Sequence, residues 1–220
     1  DVRRARAFDR LFRIVRARKD TERLLELIHA RLEVTEDISE IVKLHWERAR
    51  TLREAGRRDE SLQALEDVMT LEPDHVGAPA LLGEVYIAQE RFAEAADALA
   101  RLARHEGAPP KQRLMSGVAA VDLYENRLAD AATALSVLAD LHRHGLSTLA
   151  VRERMARVAA KAQSWNEAVQ VLELLMLERE QRAGKVEAAR LALVIHRDRR
   201  QRPADALGAA KAILKELPSD

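Results

Sequence analysis

One short phrase returns along this chain at almost even intervals. A polar break leads into two or three charged or polar residues, then a small side chain, then leucines at helical spacing. It reads Gly56-Arg57-Arg58-Asp59-Glu60-Ser61, then Glu90-Arg91-Phe92-Ala93-Glu94-Ala95, Asn126-Arg127-Leu128-Ala129-Asp130-Ala131, Gln163-Ser164-Trp165-Asn166-Glu167-Ala168 and Gln201-Arg202-Pro203-Ala204-Asp205-Ala206. A weaker copy, Lys19-Asp20-Thr21-Glu22-Arg23-Leu24, opens the chain. Aligned on Arg23, Ser61, Ala95, Ala131, Ala168 and Ala206, the copies lie 38, 34, 36, 37 and 38 residues apart. A period this constant, in this range, marks a solenoid of helical units. One such unit is too small to bury its own apolar faces, so neighbours must stack to make a core.

The residues between the breaks fit two amphipathic helices per unit. Leu65 and Val68 after the second break, and Leu99 and Leu102 after the third, keep the three-to-four spacing of one helix face. Aromatic residues are only 3% of a chain that is 47% hydrophobic, and the balance is spent on Leu and Ala, which favour helix over strand. First helices are predicted at roughly 3–18, 39–55, 75–88, 110–125, 147–162 and 184–200. Second helices are predicted at roughly 21–33, 59–71, 92–105, 128–143, 165–180 and 203–216. Pro73 and Pro218 fit helix ends, because proline lacks an N–H and clashes with the preceding turn. Pro203 fits a helix start and Gly56 a helix end. The small residues Ala49, Gly83, Ala119 and Ala156 allow close approach within a hairpin. No linker is long enough to part domains, so residues 1–220 read as one all-α domain, a stretch of a longer array.

Catalytic and metal chemistry find no foothold. There is no Cys, and therefore no disulfide, thiolate nucleophile or Cys-based zinc site. The seven His include no pair four apart on a helix, and His142 with His144 point to different sides. No phosphate-cradling glycine motif and no nucleophile elbow occur, so neither an enzyme nor a cofactor is expected. No apolar run is long enough to span a membrane. Formal charge is +1, which favours no global attraction to nucleic acid. Arg and Lys do cluster in residues 1–20 and in Arg197–Arg202. Those ends leave open an anionic-surface or nucleic-acid contact, although stacking aromatics are too few for a typical single-strand reader.

The unit from Val76 to Gly107 resembles a tetratricopeptide repeat. It carries Leu82-Gly83, the large Tyr86, the small Ala95, and Leu99 with Leu102 at core positions. Leu71-Glu72-Pro73-Asp74 resembles the family's closing phrase, and Leu217-Pro218-Ser219-Asp220 echoes it. The resemblance implies a right-handed superhelical solenoid of about six antiparallel helix pairs, whose first helices line a concave groove. It also implies a protein-interaction scaffold, of the kind found in bacterial cytoplasmic secretion, pilus, motility or polarity machines.

On that template the groove residues are Trp46, Arg50 and Arg53 with Lys43 in the second unit, and Glu84 and Ile87 in the third. The fourth supplies Arg113 and Tyr124 with Ser116 and Leu123; the fifth supplies Arg157 and Lys161 with Glu153. Phe8, Phe12 and Arg16 stand in the first unit, and Leu191, Ile195 and Asp198 in the last. Arg with Trp, Tyr and Phe is the mixture that dominates binding hot spots. Trp46 fits equally a contact residue and a packing residue between neighbouring first helices. The groove reads as basic around the second and fifth units, which points to an acidic peptide or an acidic patch on a folded protein. The open terminal helices also fit end-to-end self-assembly.

Overall fold

A computed structural model describes residues 2–178 and 182–217, and the regular structure within that range is helical. Twelve α-helices alternate along the described chain: α1 Val2–Ala17, α2 Thr21–Leu32, α3 Ile38–Glu54, α4 Arg58–Leu71, α5 Ala78–Ala88, α6 Phe92–Arg104, α7 Pro110–Asn126, α8 Ala131–Arg143, α9 Leu149–Lys161, α10 Trp165–Glu178, α11 Arg182–Val194 and α12 Pro203–Glu216. The all-α stack of hairpins expected from the repeat period is the fold found. The chain divides into two compact units, Asp1–Ala98 and Leu99–Asp220.

Six turns of one geometry make the hairpins. Lys19, Gly56, Glu90, Ala129, Gln163 and Gln201 all have φ between 51° and 75°, in the left-handed region. Each stands two residues before the first residue of a second helix. The reversal closes with a backbone bond from the following N–H to a carbonyl in the last turn of the first helix. Examples are Arg57 to Leu52 and Arg91 to Tyr86, both at 2.9 Å. This is the C-terminal cap in which a left-handed residue satisfies carbonyls the helix leaves open.

In the fourth and sixth units the closing bond reaches one residue further, from Asp130 to Tyr124 and from Arg202 to His196. The surplus residue in the sixth unit is absorbed by a π-helical turn, Ile195–Arg199, that extends α11. A single-residue insertion into a helix is commonly accommodated in this way.

The turns also fix the register. The fourth residue of each second helix is Leu24, Ser61, Ala95, Ala134, Ala168 or Ala206, and all six are buried. Alignment on Arg23 and Ala131 was therefore off, by one residue in the first unit and by three in the fourth. The sequence there offers three alanines in four positions, and α8 starts at Ala131 rather than near 128. On α7 Ala120 is fully buried, whereas Ala119 is only partly so. In the second hairpin Ser61 exploits the close approach, donating from Oγ to the Ala49 carbonyl at 2.9 Å. A hydroxyl is tolerated at that dry contact because its hydrogen bond is made.

In the first unit Leu52, Leu65 and Val68 are essentially inaccessible and pack with Val42, Leu81 and Val85. Each contributes about 1.5–3 kcal/mol of apolar burial, which ties α3, α4 and α5 together. Val15, Leu24, Ile28 and Leu44 form a second cluster under α1, with Phe8 and Phe12 half-buried beside it. In the second unit Leu138, Leu141, Val158 and Leu175 are among the fully buried side chains. Gly117 is needed where α7 crosses α8: a Cβ there would stand 2.8 Å from the Leu141 side chain.

Candidate interaction cleft

First helices present one face to each other, and the structure laces that face with ion pairs. In the first unit Arg16 of α1 reaches Glu47 of α3 at 2.9 Å, and Arg50 reaches the same carboxylate at 3.2 Å. Arg53 pairs with Glu84 of α5 at 2.6 Å. In the second unit Arg154 of α9 binds Asp122 and Glu125 of α7, the latter at 2.7 Å. Lys161 holds the other oxygen of Glu125 at 2.9 Å. Burial acts to raise the Glu125 pKa, but the hydrogen bonds from Lys161 and Arg154 outweigh it and hold the carboxyl below its ordinary value. Glu125 is therefore a fixed anion joining two helices.

The sequence-derived residues now take definite places. Trp46 is half-buried, with its ring 4.9 Å from that of His75 and directly against Gly77, where a Cβ would lie 2.9 Å from it. It packs against the apolar core of α3, α4 and α5, which favours the packing reading. Arg50, Arg53, Glu84 and Lys161 are members of the ion-pair ladder. Ile87 is exposed on α5. Arg113, Tyr124 and Ser116 are buried, at 7%, 5% and 7% exposure, and do not line an open face. Arg113 points into its hairpin and donates from Nε to the Ala103 carbonyl at 3.0 Å, near the end of α6. The reason is the register of α7, whose outward residues toward α9 are Asp122 and Glu125. Two acids three apart were the sequence signal for that face, and the misplaced fourth-unit alignment hid it. Of the cations expected on the inner face, Arg50, Arg53 and Lys161 each pair with a neighbouring carboxylate.

This face carries a cleft of about 540 Å³ in the second unit. Glu153, Arg157 and Lys161 of α9 form one wall, and Glu187 and Leu191 of α11 with Ile195 form the other. Leu172 and Leu175 of α10 form the floor. Ala156, Ala160 and Ala188 line the walls, so small side chains leave the space unfilled. Leu191 is half-exposed at its edge. The structure thus brings together Glu153, Arg157, Lys161, Leu191 and Ile195, which the repeat register had placed on two successive first helices. Leu172, Leu175 and Glu187 were not foreseen, because they are contributed by a second helix and by the far wall. Asp198, in the π-helical turn, is paired with its neighbour Arg197 at 2.6 Å. Among the described residues Arg157 makes no ion pair, and no group of three His, Asp or Glu is arranged to hold a metal ion. No helix among them is long and apolar enough to cross a membrane.

Residues 52–116 match the tetratricopeptide repeat family model. No curated protein matches the chain. Among solved structures, YrrB, a tetratricopeptide protein with an unusual peptide-binding site, is 20% identical, covering 87% of this chain and 92% of its own at a TM-score of 0.44. PilF of Pseudomonas aeruginosa is 14% identical, covering 97% and 92% at a TM-score of 0.46. A MamA protein of Desulfovibrio magneticus is 11% identical, covering 83% and 96% at 0.43. Residues 52–116 carry the tetratricopeptide repeat pattern, and the same hairpin turn recurs at each of six breaks along the described chain.

Proposed function

We propose that this chain is a protein-interaction scaffold that receives a segment of a partner protein in the cleft between α9 and α11. The observation that carries the reading is the cleft itself. It has an apolar floor, walls kept open by alanines, and polar groups at its rim, the composition of a site that orients a ligand while burying part of it. Elsewhere on the first-helix face Arg50 and Arg53 are already paired and the large aromatic Trp46 is packed, so those residues have little binding energy left to offer.

The test is site-directed photo-crosslinking in the source cell. A photoreactive residue at position 157 faces the cleft, whereas one at the exposed Ser136 of α8 does not line it. Covalent capture of a partner from 157 and not from 136 is the expected result. Capture from 136 alone, or equally from both, rejects the cleft as the binding face.

A further inference from the structure

Successive hairpins meet through two apolar stripes, and α4 with α5 shows both. The second helix supplies Leu62, Leu65 and Met69; the following first helix supplies Ala78, Leu82 and Val85, all within one cluster. Each stripe has a fixed address in the repeat. Leu62, Leu65 and Met69 stand one, four and eight residues after Ser61, the buried fourth residue of α4. Ala78, Leu82 and Val85 stand twelve, eight and five residues before Glu90, the left-handed turn residue. The first address in α8 gives Leu135 and Leu138, the second in α9 gives Val151, Met155 and Val158, and all of these are buried.

At the same addresses α12 has Leu207, Ala210 and Leu214, counted from Ala206, and α1 has Ala7, Leu11 and Ile14, counted from Lys19. Here the stripes lie open. Leu207 and Leu214 are 56% and 51% exposed, and Leu11 and Ile14 are 42% and 43% exposed, against 8% and 2% for their counterparts Leu82 and Val85. The last helix thus carries a second-helix stripe and the first helix a first-helix stripe, the two halves of a joint the chain already makes internally. Charge does not oppose their meeting. α1 is basic, but on α12 Asp205 and Glu216 balance Lys211 and Lys215.

We infer that α12 of one copy stacks on α1 of a second copy in the manner of α4 on α5, so that the chain associates head to tail. The contact is heterologous, with a different patch used on each copy. It stands apart from the cleft between α9 and α11 and does not depend on it.

Sedimentation equilibrium on the whole chain tests it. Leu11→Glu with Ile14→Glu blocks the α1 stripe, and Leu207→Glu with Leu214→Glu blocks the α12 stripe; circular dichroism confirms that both variants keep their helix content. The average mass of the wild type is expected to climb with concentration into the millimolar range, while each blocked variant alone stays at the mass of one chain. An equimolar mixture of the two variants should restore a two-chain species and nothing larger, since it holds one intact α12 and one intact α1 per pair. That species also shows that both variants fold. An apolar contact should persist as salt rises from about 0.1 to about 0.5 M. A wild type that stays a single chain, or a mixture without the two-chain species, overturns the inference. Association lost in only one of the two variants belongs to a two-fold contact between like stripes and overturns it too, as does association dispersed by salt.

Discussion

Exchanging residues at the left-handed turn position should move stability in opposite directions at two sites. Six hairpin turns share a residue with φ near +50° to +75°, yet only Gly56 is a glycine there. Ala129, at φ 53°, has a Cβ that crowds the following carbonyl, at a cost of about 1–2 kcal/mol. Ala129→Gly removes that cost. It also loosens the unfolded chain, which takes back about 0.4–1 kcal/mol. Ala129 is exposed, so no packing is lost. The balance is a stabilisation of about 0.5–1 kcal/mol, or about 1–4 °C in Tm for a chain of this size. Gly56→Ala runs the cycle backwards. A Cβ at Gly56, φ 75°, meets nothing within 4 Å, so the whole effect is backbone strain and the loss should be of similar size. Urea titration followed by circular dichroism at 222 nm reads both variants; the midpoint should shift with the m-value unchanged. A destabilised Ala129→Gly, or a Gly56→Ala that costs nothing, would refute the reasoning, because each leaves packing untouched and isolates the turn.

Three further predictions concern side chains. The His75 Nδ1 accepts the Ala78 N–H at 3.0 Å to open α5, which requires that nitrogen to be unprotonated, and burial lowers the His75 pKa despite the opposing Glu72 charge. His45 is likewise lowered, first by burial and further by Arg48, against the pull of Asp67. A lowered histidine leaves the unfolded chain the better proton acceptor. Stability should therefore hold above the unfolded value near 6.5 and fall as pH drops through it. His75→Asn keeps an acceptor without a titrating ring, so its Tm should fall less steeply than wild type between pH 7 and 5; an unchanged slope would exclude His75 as a source. Glu125→Gln strips the shared anion from Arg154 and Lys161 and should cost about 1–2 kcal/mol, seen as a Tm lower by about 2–8 °C. Arg113→Met keeps the stem but leaves the Ala103 carbonyl without its donor, and should cost about 1–3 kcal/mol while crosslinking from position 157 is unchanged. A loss of crosslinking with full stability would return Arg113 to the contact set.

Helix positions were legible because they rest on local chemistry that the period repeats six times. α1, α3, α4, α6, α7 and α12 begin and end within a residue or so of where spacing and punctuation put them. α5 begins late, at Ala78, because the His75 ring caps it, a side-chain acceptor with no sequence signature. The turn conformation was illegible for a related reason. Lys, Glu, Ala and Gln occupy it beside the one Gly, so the backbone is imposed by stacking of the hairpins and not requested by the residue.

The cleft was half legible, and the missing half has a single physical cause. Periodicity assigns a residue to a face, and so it placed Arg157, Lys161, Leu191 and Ile195 on the inner sides of two first helices. It says nothing about which charges on that face meet. Arg53 and Lys161 look alike as sequence, two cations at helical spacing on a groove wall. Glu84 lies 31 residues beyond Arg53 and Glu125 lies 36 before Lys161, distances close to one repeat, so each pair joins successive first helices. The period that builds the fold therefore also brings opposite charges into register across it. Positions that pair across neighbouring units hold helices in place, and what is left for a ligand is the position whose partner one repeat away is missing.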